Sequence, residues 1–157
     1  MIRFFYSLLV YFLLPFTCFK LIYRGFRQPD YLKNWSERYG FYSASTKKIW
    51  DARKIIWIHA VSVGETKAAI PLIKLYLKKY PRHYLLITHG TPTGRATSID
   101  IKDSRISRIY LPFDTPDATK RFLSTFKPEM GLLLETELWF NLIHQGFQKS
   151  IPLYLVN

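Results

Sequence analysis

Cysteine is all but missing: Cys18 is the single one in 157 residues. An internal disulfide and a cysteine-built metal site are therefore excluded, and Cys18 reads as a small apolar residue. Acidic residues are scarce, 11 against 23 lysines and arginines, for a formal net charge of +12. That balance directs the chain towards anionic surfaces, whether nucleic acid, acidic headgroups or phosphorylated substrates. Among seven glycines no G-x-G occurs, so the dinucleotide fingerprint is absent and a nicotinamide dehydrogenase is disfavoured. No GK[ST] follows Gly94, which excludes a Walker loop. Internal repeats and low-complexity tracts are lacking too.

What is present is apolar and aromatic, 48% and 17% of residues, enough to build a core. Phe4 to Phe19 runs without a charge, and extending it to Tyr23 admits only Lys20, which can snorkel to headgroups. Twenty helical residues rise about 30 Å, marginal for a bilayer crossing and ample for a tilted anchor. A cleaved signal peptide is the competing reading, but no A-x-A pattern follows the run; bulky and basic residues do. Eight basic residues between Arg24 and Lys54 face three acidic ones. By the positive-inside rule that cluster places everything after Tyr23 in the cytoplasm. Three parts are expected: an anchor over 1–24, a basic connecting segment over 25–54 with a short helix at Tyr31–Tyr39, and a folded domain over 55–157.

Within the last part, short apolar runs alternate with amphipathic ones. Strands are expected at Ile55–His59, Tyr84–Thr88, Arg108–Leu111, Gly131–Leu134 and Pro152–Val156, with starts spaced for a strand plus a crossover helix. Helices are expected at Glu65–Tyr80, at Thr115–Phe126 behind an Asp114 cap, and at Leu138–Gln148; a weaker helical turn follows Thr91–Gly94. The pattern is that of an α/β, Rossmann-like parallel sheet with helices on both faces.

Ligands of such sheets sit beyond the carboxyl ends of the strands, where strand order reverses. With the order 3-2-1-4-5, that point lies between strands one and four. Two unusual loops follow them, AVSVGE (Ala60–Glu65) and ETELW (Glu135–Trp139), and both carry carboxylates. Ser62 and Glu65 fit a capping box, while Gly64 leaves room for a molecule to approach and Glu65 has the chemistry of a general base. Glu135 and Glu137 precede a helix, whose dipole they favour with or without a further role. His89–Gly94, HGTPTG, suits a tight loop that offers Thr91, Thr93 and Gly94 donors to an anion, or an ordinary turn. His59 and His89 end strands, but no third ligand stands at a recognisable spacing, so no metal is expected.

Taken together, the hydrophobic N-terminus, SERYG (Ser36–Gly40), WIHAVSVGE (Trp57–Glu65), GTPTG (Gly90–Gly94), YLPFD (Tyr110–Asp114), ETELW and the closing LVN resemble, in order, the N-terminal half of the Kdo transferases. These enzymes add 3-deoxy-D-manno-oct-2-ulosonic acid (Kdo) to a lipid A precursor during lipopolysaccharide biosynthesis. The resemblance implies a GT-B architecture, two Rossmann-like domains facing across a cleft. The lipid acceptor is held by the first domain and CMP-Kdo by the second. It also implies a single inverting displacement with no cofactor or metal. Glu65 would deprotonate the acceptor hydroxyl, Glu135 or Glu137 would be the second essential carboxylate, and Ser62, Gly64, Thr91, Thr93 and Gly94 would serve acceptor or anion binding. Phe140 stands where the family has proline, a change expected in the turn into the helix and not in the chemistry. Family members are at least twice as long, so the donor domain is expected to be missing from these 157 residues. The rival readings are a membrane-anchored lipid-binding module or inactive remnant, and a nucleic-acid binder marked by strongly salt-dependent affinity.

Overall fold

The computed structural model describes residues 1–43, 54–135 and 138–156. A long helix α1 (Ile2–Arg27) is followed by a 3-10 turn (Pro29–Leu32) and a single-turn helix α2 (Trp35–Arg38). Then come β1 (Ile55–His59), α3 (Val63–Lys79), β2 (Tyr84–His89), α4 (Pro92–Ser98), β3 (Ile106–Tyr110), α5 (Pro116–Phe126), β4 (Met130–Leu134), α6 (Phe140–Gln148) and β5 (Leu153–Val156). All four strand pairings are parallel, in the order β3-β2-β1-β4-β5. The switch point therefore falls between β1 and β4, where the order 3-2-1-4-5 puts it.

β1 is buried at all five positions, because it lies in the middle of the sheet and is covered on both faces. Its residues divide by the two-residue period of a strand. Ile55 and Trp57 join the core formed with Phe122, Leu123 and Phe126 of α5 and Leu142 of α6. Ile56 and Ile58 join Ala69 and Ile73 of α3 on the other face. Trp57 is fully buried, packs edge-on against Phe122 with ring centroids 5.0 Å apart, and its indole N–H donates to Thr88 Oγ1 at 2.8 Å. Gly131 of β4 makes room for that ring, since a Cβ there would lie 2.5 Å from Trp57 Cε3. Trp57→Ala is expected to cost about 3–5 kcal/mol, the usual range for emptying a buried aromatic site. A fall in the urea midpoint at unchanged slope would show it; an unmoved midpoint would mean that the core does not rest on this ring.

The helix ends differ from expectation in one informative place. Thr115, not Asp114, caps α5, its Oγ1 accepting from the Ala118 N–H. Asp114 instead reaches across to α6, where its carboxylate accepts from the N–H groups of Asn141 at 3.0 Å and Leu142 at 2.8 Å. α6 has no capping side chain of its own, Trp139 standing at its N-cap, and Asp114 supplies the missing acceptor. The turn anticipated after Thr91 is a full short helix, α4. The expected helix over Tyr31–Tyr39 divides into the 3-10 turn and α2.

The segment between α1 and β1 packs against the sheet through SERYG. Glu37 accepts from the Tyr110 backbone N–H and from Arg95 Nη1, both at 2.8 Å. Gly40 adopts φ 77 with the Ala118 carbonyl 2.7 Å from where a Cβ would sit, so no other residue fits there. Tyr42 is buried against Phe126, ring centroids 4.7 Å apart.

α1 lies alongside this body. Tyr6 donates to Asp114 Oδ2 at 2.8 Å, Ser7 to Asn141 Oδ1 at 3.0 Å and Tyr11 to Asp117 Oδ1 at 2.7 Å. Cys18 Sγ is 3.1 Å from Tyr39 Oη. Leu21 and Gly25 complete the inward stripe, both buried. The outward face is apolar and bare: Phe4, Phe12, Phe16 and Phe19 are each between 63% and 70% exposed.

Candidate functional site

The carboxyl ends of β1 and β4 bring two of the three expected acids to one place. Glu65, in the first turn of α3, and Glu135, just past β4, both line a surface cleft of about 460 Å³ with Ala69 and Leu72 of α3 and Val156 of β5. Glu137 lies outside the described residues.

Glu65 is held by its own helix start. Ser62 is the N-cap, its Oγ accepting from the Glu65 N–H at 3.3 Å. The Glu65 carboxylate reaches back in turn, Oε2 accepting from the Val61 N–H and Oε1 from the Ser62 hydroxyl, both at 2.7 Å. In the usual capping box the acid returns to the cap residue's own N–H; here it reaches one residue further and fixes the chain as it leaves β1. The side chain is nearly buried, at 7% exposure. A carboxylate has about four lone-pair positions, so two hydrogen bonds orient the group without filling it. Gly64 is exposed, and among the described residues a Cβ there would meet nothing nearer than Ser62 Oγ at 3.8 Å. Packing among the described residues therefore does not demand this glycine.

Glu135 is exposed and adopts φ 58, a left-handed conformation that costs a residue with a Cβ roughly 1 kcal/mol. Its N–H donates to the Val156 carbonyl at 3.0 Å, which ends the β4–β5 ladder and turns the chain towards α6.

The HGTPTG loop supports the site from beneath. Thr91 caps α4, accepting from the Gly94 N–H at 3.2 Å, and donates to the Val61 carbonyl at 3.3 Å. A Cβ on Gly94 would sit 2.9 Å from that same carbonyl, so this glycine lets α4 close against the loop that carries Glu65. Thr93 is exposed, its hydroxyl donating to Thr91 Oγ1 at 3.3 Å.

His59 and His89 are buried beneath these loops. His59 Nδ1 lies 2.8 Å from Thr88 Oγ1 and 3.2 Å from the Thr88 carbonyl; His89 Nδ1 lies 2.9 Å from the Ala60 carbonyl. Burial holds both well below the ordinary imidazole value, to about 4. An unfolded histidine takes up its proton near pH 6.5, whereas these two do so only near 4. Their contribution to stability is thus complete above pH 6.5 and is lost as pH falls towards 4. The loss is on the order of 2–3 kcal/mol for each. Thermal midpoints measured from pH 7.5 to 4.5 should fall accordingly, and His89→Gln should flatten the slope; a wild-type profile level across that range would contradict the assignment.

Sequence reasoning missed Arg38, which emerges from SERYG as a cation only 5% exposed beside Gly90. Both Glu37 and Arg38 are buried on the single turn of α2, and neither charge announces that burial in the sequence. The polar stripe on α1 was also hidden, because tyrosine and serine do not interrupt an uncharged run.

Residues 33–157 match the family described as 3-deoxy-D-manno-octulosonic-acid transferase (kdotransferase). The chain is 36% identical over 155 residues to a 3-deoxy-D-manno-octulosonic acid transferase of Haemophilus influenzae, covering 99% of this chain and 36% of that protein. A protein of the same description from Bordetella pertussis is 42% identical over 108 residues, covering 65% of this chain and 24% of the relative. One from Rickettsia felis is 38% identical over 110 residues, or 68% of this chain and 23% of the relative. The chain thus spans about a third, or less, of the length of these relatives.

Proposed function

Because the chain belongs to the 3-deoxy-D-manno-octulosonic-acid transferases, matching their N-terminal glycosyltransferase domain, we propose that it is the acceptor side of a membrane-docked transferase. The reaction would pass Kdo from CMP-Kdo to a lipid A precursor. The observation that carries this reading is the meeting of Glu65 and Glu135 in one cleft at the switch point of the sheet. Donor binding is assigned to the part of the relatives that lies beyond the match to Asn157.

In the proposed step Glu65 takes the proton of an acceptor sugar hydroxyl. The freed oxygen attacks the anomeric carbon of Kdo from the side opposite the leaving group, and the bond to CMP breaks with its electron pair staying on the phosphate. Configuration inverts in that single displacement, and no metal is required by it. The Val61 N–H and Ser62 hydroxyl hold the base in place, so its geometry costs no rearrangement at the moment of reaction. Glu135 is the second carboxylate, its left-handed backbone the kind of local strain that gathers at functional sites. Glu137 is the alternative for that role. Ser62, Thr91 and Gly94 shape the loop, and Gly64 and Thr93 are left open to the acceptor.

α1 docks the domain on a membrane as a monotopic element. It is long and apolar enough to cross a bilayer, at 26 residues. Yet it touches the domain at Tyr6 and Tyr11 and the segment that follows it at Cys18 and Gly25, so it lies along the body with its phenylalanine face outward. The basic residues that follow it place the domain on the cytoplasmic face, against acidic headgroups.

The direct test joins this chain to the remaining C-terminal part of the Haemophilus influenzae relative and incubates it with CMP-Kdo and lipid A precursor in vesicles. Kdo-bearing lipid and free CMP should appear together, and neither should appear with the 157 residues alone. Absence of product from a folded, membrane-bound fusion would overturn the reading.

A further inference from the structure

A second cavity, of about 420 Å³, lies between α1 and the carboxyl ends of the strands. That volume is within the range of about 300–1,000 Å³ typical of small-molecule sites. One wall is α1 itself. Val10, Leu13, Leu14 and Thr17 line it towards the N-terminal end, and Lys20 and Arg24 line it further on. From Val10 to Arg24 the helix rises about 21 Å, so the wall is long, apolar at one end and cationic at the other. Leu111, Pro112 and Phe113 continue the apolar lining on the domain side.

Three polar atoms of residues lining this cavity are unmet. Among the described residues four buried side-chain nitrogen or oxygen atoms lack a hydrogen-bond partner: Arg38 Nε, His59 Nε2, Trp139 Nε1 and Tyr42 Oη. The first three belong to residues that line this one cavity. Arg38 is 5% exposed and His59 1%. Arg38 rests on the Tyr110 ring at 4.1 Å and donates from Nη2 to the Gly90 carbonyl at 3.2 Å. It has no carboxylate within ion-pair distance among the described residues, because Glu37 is taken by Arg95. Glu37 still acts on Arg38 through space, but a buried guanidinium without a directly paired anion is disfavoured. Asp114 also lines the cavity, but its oxygens are engaged by Tyr6, Asn141 and Leu142.

A ligand that answers the unpaired Arg38 and matches both ends of the wall is anionic at one end and a hydrocarbon along the rest. We infer that the cavity takes an acyl chain of the phosphorylated acceptor lipid, with the chain along the Val10–Thr17 wall of α1 and a phosphate against Arg38, Lys20 and Arg24. The helix that docks the domain on the membrane is then also one wall of the binding site, and a chain drawn from the bilayer passes from lipid to protein without crossing water. The acceptor, as opposed to bulk phospholipid, is indicated by Val61. This residue lines the cavity, and its N–H is the one held by Glu65 at 2.7 Å, so cavity and cleft adjoin across a single residue. The inference rests on the transferase reading for the identity of the lipid, but not for the existence of the site.

The test titrates the full chain, held in nanodiscs of neutral phosphatidylcholine, with dodecyl phosphate. One-to-one saturable binding is expected. Leu14→Trp, which fills the groove while keeping α1 apolar, and the exposed pair Lys20→Gln with Arg24→Gln should each weaken it about 10-fold or more, ~1.4 kcal/mol. Inorganic phosphate or dodecyl maltoside binding as tightly, or both variants binding like the parent, would overturn the site. Lipid A precursor in the nanodisc should compete with dodecyl phosphate where the same mole fraction of phosphatidylglycerol does not; the reverse pattern would overturn the assignment to the acceptor. A transfer reaction indifferent to Glu65→Gln would sink the proposed chemistry while leaving this titration unchanged.

Discussion

Glu65→Gln, in a polypeptide that carries the donor domain, is expected to lower the rate constant for Kdo transfer by about 10²- to 10⁴-fold, the range for loss of a general base. The acceptor KM should move little, since a proton acceptor acts in the transition state and not in binding. This substitution separates chemistry from architecture. Glutamine also serves in a capping box, and its amide can still accept from the Val61 N–H and donate to Ser62 Oγ. Stability should therefore change by less than about 1 kcal/mol. Ser62→Ala is the complementary variant: loss of the N-cap costs about 1 kcal/mol while the carboxylate remains, so transfer should fall far less. If Glu65 were only a cap, Glu65→Gln would leave the rate near that of the parent.

The second large effect is expected at the membrane. Phe12 and Phe16 point away from the body, at 68% and 63% exposure, on the helix face opposite the contacts of Tyr6, Ser7 and Tyr11. Replacing both with glutamate should lower partitioning into vesicles by about 100-fold, equivalent to ~3 kcal/mol. That figure is modest beside the roughly 2.5–3.5 kcal/mol assigned to one charge at the centre of a spanning helix, because an interfacial helix keeps charged groups near water. Transfer to an acceptor embedded in vesicles should fall with partitioning, while transfer to a deacylated, water-soluble acceptor should persist. Unchanged co-sedimentation with vesicles would mean that this face does not meet the bilayer.

Much of the fold was legible because it is written in local patterns. Trp57 and Ile58 alternate between faces of a strand apolar on both sides, a pattern that fits a central parallel strand, and Ser62 to Glu65 marks the helix that follows. What was not legible depends on contacts distant in sequence. Asp114 and Thr115 are adjacent and both competent caps, so their order alone does not decide between them. The decision is made by α6, which starts without a cap and draws Asp114 to Asn141 and Leu142 from 27 and 28 residues away. The convergence of Glu65 and Glu135 followed from strand order, whereas the left-handed backbone of Glu135 did not, since nothing in glutamate calls for it. Arg38 had no signal of burial in the sequence, for a cation is buried only when the tertiary structure supplies a ring to stack on and a reason to stay.

The claim at the centre is that the carboxyl ends of β1 and β4 receive the lipid acceptor. Backbone amide exchange of the chain in neutral vesicles, with and without lipid A precursor, tests it most directly. Added acceptor should slow exchange in Val61–Thr66 and at Glu135, and should leave the opposite end of the sheet, at Ile55 and Tyr84, unaffected. Protection confined to that opposite end, or absent altogether at saturating acceptor, would contradict the placement of the site and with it the role of Glu65.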